Sequence, residues 1–282
     1  MSEITLKSST PCFGGTQAFY KHLSQCTGTE MRFGVFLPSA AAQGPVPALY
    51  YLAGLTCTEE TFFIKAGAQR MAAELGLALV ACDTSPRGLN LPGDSDAWDF
   101  GVGAGFYVDA TQEPWAPHYR IGSYVNDELP ALIEAHFAVR TDKRGIFGHS
   151  MGGHGALVTA LRNPTRWNSV SAFAPVCNPM NVPWGKKAFA NYLGDDACAW
   201  AAWDACMLMS ASPHPANILV DQGLSDQFLH RELHPHALRE AASESGQRLT
   251  LREPTGYDHS YWFIQTFIED HLRHHAAILS EA

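Results

Sequence analysis

Gly148-His149-Ser150-Met151-Gly152-Gly153 lies near the middle of the 282-residue chain and decides how the rest is read. A serine between glycines at this spacing fits a strand-to-helix turn with an exposed hydroxyl, provided that a strand precedes it and a helix follows. Both are legible. Arg144-Gly145-Ile146-Phe147 reads as a short strand running into the turn, and His154 to Arg162 as a helix that stops before Asn163-Pro164. Gly148 and Gly152 are the positions where a side chain would collide in so tight a turn.

Outward from the turn, apolar strands alternate with amphipathic helices. Ala48–Ala53 is a buried strand ending at Gly54, a helix covers about 68–75, and Leu77–Ala81 is the next strand. A long ordered loop rich in Gly, Asp and aromatics spans 89–119, followed by a helix from about Ser123 to His136. Val170–Ala174, Ile218–Val220 and Leu249–Leu251 are further strands. Residues 177–214 read as an insertion, and the C-terminal helix places Phe263, Ile264, Phe267, Ile268 and Leu272 on one side. Near the start, 18–23 and 31–37 read as two strands of an antiparallel hairpin. The pattern predicts an α/β protein, one domain over 1–282: a mostly parallel central sheet, helices on both faces and an N-terminal antiparallel hairpin. Its site belongs at the carboxyl ends of the parallel strands.

Composition narrows the function. A net charge of −9 argues against nucleic acid as the main partner. No apolar run reaches the length of a membrane span, and the first 20 residues hold no signal-peptide core, so the chain reads as cytosolic. Seven scattered cysteines with no C-x-x-C form neither a disulfide framework nor a zinc site; most are expected to be small buried hydrophobes. His230-Arg-Glu-Leu-His234 lacks the glutamate a metal helix needs after its first histidine. Gly101-Val-Gly103-Ala-Gly105 lacks the spacing and strand of a dinucleotide loop and reads as a close-packed loop near the site.

A serine hydroxyl needs a base. His259, after the last strand in Gly256-Tyr257-Asp258-His259-Ser260, is the best placed of thirteen histidines. The elbow is expected to turn His149 and His154 elsewhere, and His230, His234 and His236 to be exposed. His271, Arg273, His274 and His275 read as a solvated basic patch at the end of the last helix. Asp226, in the loop after Ile218–Val220, is the acid; Asp221, at the strand end, is its rival. Ser150…Asp226…His259 is the chain order of α/β-hydrolase triads. Backbone N–H groups of Met151 and Leu55 are the candidate oxyanion donors.

Further segments extend the pattern: Leu55-Thr56-Cys57-Thr58-Glu59, Asp83-Thr84-Ser85-Pro86-Arg87-Gly88, Trp98-Asp99-Phe100-Gly101, Gly103–Ala110, Gly148–Gly155, Pro183–Phe189 and Gly256–Tyr261. With them the chain resembles the S-formylglutathione hydrolase (esterase D) family over nearly its whole length. That resemblance implies an α/β-hydrolase fold and a cytosolic thioesterase converting S-formylglutathione and water to glutathione and formate, the last step of glutathione-dependent formaldehyde detoxification. It also implies a homodimer or higher homo-oligomer, no metal and no cofactor, with Ser150, Asp226 and His259 aligned to the family's triad. Trp98, Phe106 and Trp184 are candidate walls of the acyl pocket. Lys65 and Lys186, with Arg87 and Lys187, are candidates to meet the carboxylates of glutathione, and Cys57 is a candidate to line the site. A general short-chain carboxylesterase or an acyltransferase on the same fold is the alternative; a non-catalytic binding module would be expected to lack a triad member.

Overall fold

The computed structural model describes residues 3–280. Nine strands form one sheet: β1 (Thr5–Cys12), β2 (Gly15–Leu23), β3 (Glu30–Leu37), β4 (Val46–Leu52), β5 (Ala78–Cys82), β6 (Val139–His149), β7 (Ser169–Phe173), β8 (Ile218–Asp221) and β9 (Leu249–Arg252). Their spatial order is β1-β2-β3-β5-β4-β6-β7-β8-β9. β1 to β3 form an antiparallel meander, and β3 joins β5 antiparallel. From β5 to β9 every pairing is parallel. The expected hairpin is β2–β3; β1 is an addition. Its sequence, TLKSSTPC, carries no apolar alternation because this edge strand buries neither face.

Among the described residues ten α-helices accompany the sheet: α1 (Thr61–Lys65), α2 (Gln69–Leu75), α3 (Ile121–Ser123), α4 (Leu129–His136), α5 (Met151–Arg162), α6 (Pro183–Leu193), α7 (Ala197–Ala201), α8 (Ala205–Ala211), α9 (Pro235–Ser245) and α10 (Tyr261–Ser280). The alternation of β6 assigns the two faces. A side chain at Gly148 would strike Gly152 in α5, and one at Gly145 would meet His275 in α10. Residues 145 and 148 point to opposite faces of a strand, so α5 and α10 cover opposite sides of the sheet. The predicted helix from 123 to 136 is interrupted by a π-type turn over Tyr124–Glu128, and α6 to α8 fill the insertion.

The histidines of α10 are not a solvated patch. His271 and His275 have no exposed surface. His275 bonds Ser169 Oγ through Nδ1 at 2.6 Å and Ser171 Oγ through Nε2 at 2.9 Å. His271 meets Ser171 Oγ at 2.8 Å and Asp221 Oδ2 at 3.2 Å. The helical spacing of 271 and 275 puts both on the face against β7, where small serines leave room for the rings. The cysteines also depart from expectation. All seven are free; Cys82, Cys177 and Cys206 are buried, Cys198 is exposed and the others are half-buried.

Buried histidines tie stability to pH. Burial holds His154 and His274 down to about 4 and drives His149 and His275 well below the ordinary imidazole value; His271, His22 and His214 are lowered too. In the unfolded chain these rings titrate near 6.5. Between that value and about 4 the unfolded state binds more protons, so stability is full above pH 6.5 and is lost as pH falls through this window. At about 1.4 kcal/mol per pKa unit, His154 alone contributes a loss of about 3 kcal/mol. Asp204, raised to about 6 by burial, and Glu59 and Glu232, also raised, act in the opposite sense but are fewer. The urea midpoint is expected to be flat from pH 8 to 7 and to fall steeply below 6.5; a flat profile down to pH 5 would contradict this.

Candidate active site

Ser150 sits between β6 and α5 at φ 59° and ψ −120°, a conformation that costs a non-glycine residue of order 1–3 kcal/mol. The surrounding backbone compensates. Ser150 N–H donates to Phe173 O at 2.9 Å, while Ser150 O accepts from His154 N at 3.0 Å and Val176 N at 3.2 Å. The flanking glycines are required by contact. A Cβ at Gly152 would lie 1.9 Å from Leu52 O, and one at Gly148 would lie 2.2 Å from Gly152 O.

The loop after β4 closes on the serine from one side. Gly54 passes so near that a Cβ there would stand 3.3 Å from Ser150 Cβ. Leu55 and Cys57 follow. The loop is fixed by Thr56 N–H to Gly103 O at 2.9 Å and by Thr84 Oγ1 and Arg87 Nη2, which donate to Cys57 O at 2.7 and 3.2 Å. Thus the 101–105 glycine segment is a close-packed support for the candidate oxyanion loop. Arg87 is occupied by Asp83, which it grips through Nε and Nη2 at 2.7 and 2.8 Å.

His259 and Asp226 arrive on the loops after β9 and β8. His259 Nδ1 meets Asp226 Oδ2 at 2.5 Å, which leaves Nε2 as the free face of the ring. Asp226 Oδ1 accepts from Phe228 N at 2.8 Å, and Gln222 Nε2 donates to Oδ2 at 3.3 Å. Asp221, the rival acid, is turned away. Arg252 grips it with two bonds of 2.5 Å and His271 takes Oδ2 at 3.2 Å.

Ser150 and His259 both line one pocket of about 680 Å³, together with Gly54, Leu55, Cys57, Lys65, Trp98, Trp184, Phe228 and Tyr261. Trp184 packs edge-on to Trp98 at 5.5 Å and tilted against Phe228 at 4.7 Å; Phe228 in turn stands against His259 at 5.0 Å. Lys187 pairs with Asp99 at 2.6 Å, tying α6 to the segment that bears Trp98. Lys65 reaches over the Tyr261 ring at 5.8 Å. Burial pushes the Cys57 thiol up, while Thr61, Tyr261 and Lys65 pull it back. Phe106 and Lys186 are not among the walls. Phe106 is fully buried against Phe189 and His154, and Lys186 is exposed.

Three neighbours escaped the reading of the sequence. His149 was expected to point elsewhere, yet its ring lies 4.4 Å from that of His259 and lines the pocket. Burial, and then the nearby His259, hold it well below the ordinary imidazole value, so it stays neutral. Phe228 and Gln222 belong to the acid loop; their positions two residues after and four before Asp226 were the available signal. Residues 24–274 match the family described as Esterase. The chain is 53% identical to mouse S-formylglutathione hydrolase over 275 residues, covering 97% of this chain and 98% of the mouse protein. It is 52% identical to the rat protein of that name, covering 99% of each. The solved S-formylglutathione hydrolase of Agrobacterium tumefaciens superposes with a TM-score of 0.95 at 47% identity, covering 98% of this chain and 99% of that one.

Proposed function

The chain belongs to the S-formylglutathione hydrolases, and on that premise we propose that it hydrolyses S-formylglutathione to glutathione and formate through an acyl-enzyme on Ser150. The observation that carries the mechanism is the meeting of Ser150 and the Asp226-bound His259 in one pocket at the carboxyl ends of the parallel strands. His259 Nε2 takes the hydroxyl proton as Ser150 attacks the formyl carbon. Asp226 holds the ring in the tautomer with the proton on Nδ1 and stabilises the imidazolium. The N–H groups of Leu55 and Met151 receive the oxyanion, each worth about 100- to 1000-fold in rate. Collapse breaks the C–S bond: the glutathione sulfur, a better leaving group than an alkoxide, takes the Nε2 proton from the imidazolium and departs as the thiol, leaving His259 neutral. Water, deprotonated by the neutral His259, then attacks the formyl ester, and the imidazolium returns the proton to Ser150 Oγ as formate leaves.

The thioester reading makes sense of the site's charge. Glutathione brings two carboxylates to a chain of net charge −9, and Lys65 is an exposed cation at the pocket. The same reading includes one domain over 1–282, a cytosolic location and a homodimer or higher homo-oligomer. Free thiols on all seven cysteines accord with a reducing compartment. Among the described residues no helix is long and apolar enough to cross a membrane.

The test is kcat/KM on S-formyl, S-acetyl and S-lactoyl glutathione beside p-nitrophenyl acetate. The formyl thioester is expected to rank first, with each added carbon in a close-fitting acyl site lowering efficiency by about 10- to 200-fold. Equal or better turnover of the simple ester would move the protein to the short-chain carboxylesterases.

A further inference from the structure

Gln222 opens the loop that carries Asp226, and its side chain has no exposed surface. Its Nε2 donates to the same Asp226 oxygen that accepts the His259 proton, and also to Gly223 O at 3.1 Å. Its Oε1 is buried without a partner. Burying half an amide unsatisfied costs about 1–3 kcal/mol, so an apolar residue would suit this place better if packing were its whole purpose. The orientation is dictated by the neighbour, since turning the amide would set Oε1 against a carboxylate.

The backbone beneath is held on several sides. Gln222 N–H donates to Arg252 O at 2.9 Å. Asp221, one residue earlier, is locked by Arg252 and His271. One residue later, Gly223 passes the histidine loop so closely that a Cβ would lie 2.4 Å from Tyr257 O. Leu224 N and Ser225 N then bond Pro254 O and Tyr257 O at 3.1 and 2.9 Å, joining the acid loop to the histidine loop. Gln222 therefore presents its amide from a fixed base.

We propose that Gln222 is a positioning residue of this site: its amide holds the Asp226 carboxylate in register with His259 and offsets part of its negative charge. Two consequences follow from the shared oxygen. The carboxylate keeps the rotamer in which Oδ2 faces Nδ1. The electron density that Gln222 withdraws from Oδ2 keeps the proton on His259 rather than shared toward Asp226, and prevents an overly strong attraction for a second proton on the ring. The charged and titratable groups around His259 are Asp226, Asp258 on its own loop, neutral His149 from the end of β6, and Cys57, Lys65 and Tyr261 across the pocket. Of these groups Asp226 is the one that Gln222 bonds, so replacing Gln222 acts on His259 through Asp226.

The experiment is kcat/KM against pH on p-nitrophenyl acetate and S-formylglutathione for the wild type, Gln222→Leu and Gln222→Met. The flexible methionine fills the volume without a donor should the leucine variant fail to fold. Loss of a hydrogen bond to a charged group is expected to move the low-pH limb up by roughly one unit. Activity then falls about tenfold below the limb and by less than about threefold on the alkaline plateau. A uniform loss with an unmoved limb, or no change at all, overturns the proposal. It rests on the triad reading, whose own failure looks different: Asp226→Asn would then stay active, whatever Gln222 does.

Discussion

Ser150→Ala is expected to reduce kcat on S-formylglutathione by about a millionfold, the scale on which removal of a triad nucleophile acts. Only the hydroxyl is lost. The positive φ of residue 150 is no harder for alanine than for serine, and the bonds to Phe173 O and from His154 N and Val176 N use the backbone atoms of residue 150. The pocket, the Leu55 and Met151 N–H groups and the His259–Asp226 pair stay in place. KM for the thioester is therefore expected to change little, and the melting temperature with it. Residual catalysis from the oxyanion donors and binding leaves about 10³-fold over water. Formate release measured at saturating substrate checks this; activity within tenfold of wild type would place the attack elsewhere.

Gly152→Ala is expected to be the most damaging single methyl group in the chain's centre. The new Cβ would lie 1.9 Å from Leu52 O, 2.3 Å from Leu52 C and 2.6 Å from Ala53 O. These are backbone atoms at the end of β4 and of the residue after it, so no rotamer relieves the clash. Either α5 slides away from the sheet, taking the elbow with it, or β4 shifts and moves the Gly54–Leu55 loop off the serine. Overpacking a well-filled interior costs about 1–3 kcal/mol, and a clash with fixed backbone lies at or beyond the upper end. Activity is expected to fall further than stability, because both relaxations misplace a candidate oxyanion donor. Gly44→Ala is the control: nothing stands within 4 Å of its would-be Cβ, and its φ is outside the left-handed region. Denaturant midpoints and kcat for the pair decide the matter; a Gly152→Ala enzyme with wild-type kcat would refute the account of the elbow.

The parallel part of the sheet was legible because β4, β5, β7 and β8 are runs buried on both faces, and the strand–glycine–serine–helix succession at the end of β6 has few other readings. β1 was not legible, since a strand exposed on both faces leaves no hydrophobic period. Chain order alone singled out Ser150, Asp226 and His259, and the structure sets His259 against Asp226 and in one pocket with Ser150. The environment of His271 and His275 could not: serines on a neighbouring strand made a basic stretch into a buried polar network, and nothing local in LRHH announces Ser169 and Ser171. Phe106 and Lys186 illustrate the same limit. Proximity in sequence to Trp98 and Trp184 suggested the pocket, but the positive φ of Phe106 turns its ring into the core beside His154, and helical geometry sends Lys186 to solvent two residues after the wall-forming Trp184. Gln222 was visible as a letter and invisible as a function, because its role depends on a carboxylate oxygen shared across a loop.

The central claim is that one serine performs the thioester hydrolysis. Titration with a serine-directed fluorophosphonate, read by intact mass and peptide mapping while formate release from S-formylglutathione is followed, tests it most directly. The account predicts one phosphonyl group per chain, on Ser150, with thioester hydrolysis falling in strict proportion to labelling and with S-formylglutathione protecting the serine. Complete labelling of Ser150 while formate release continues at the unlabelled rate would contradict it.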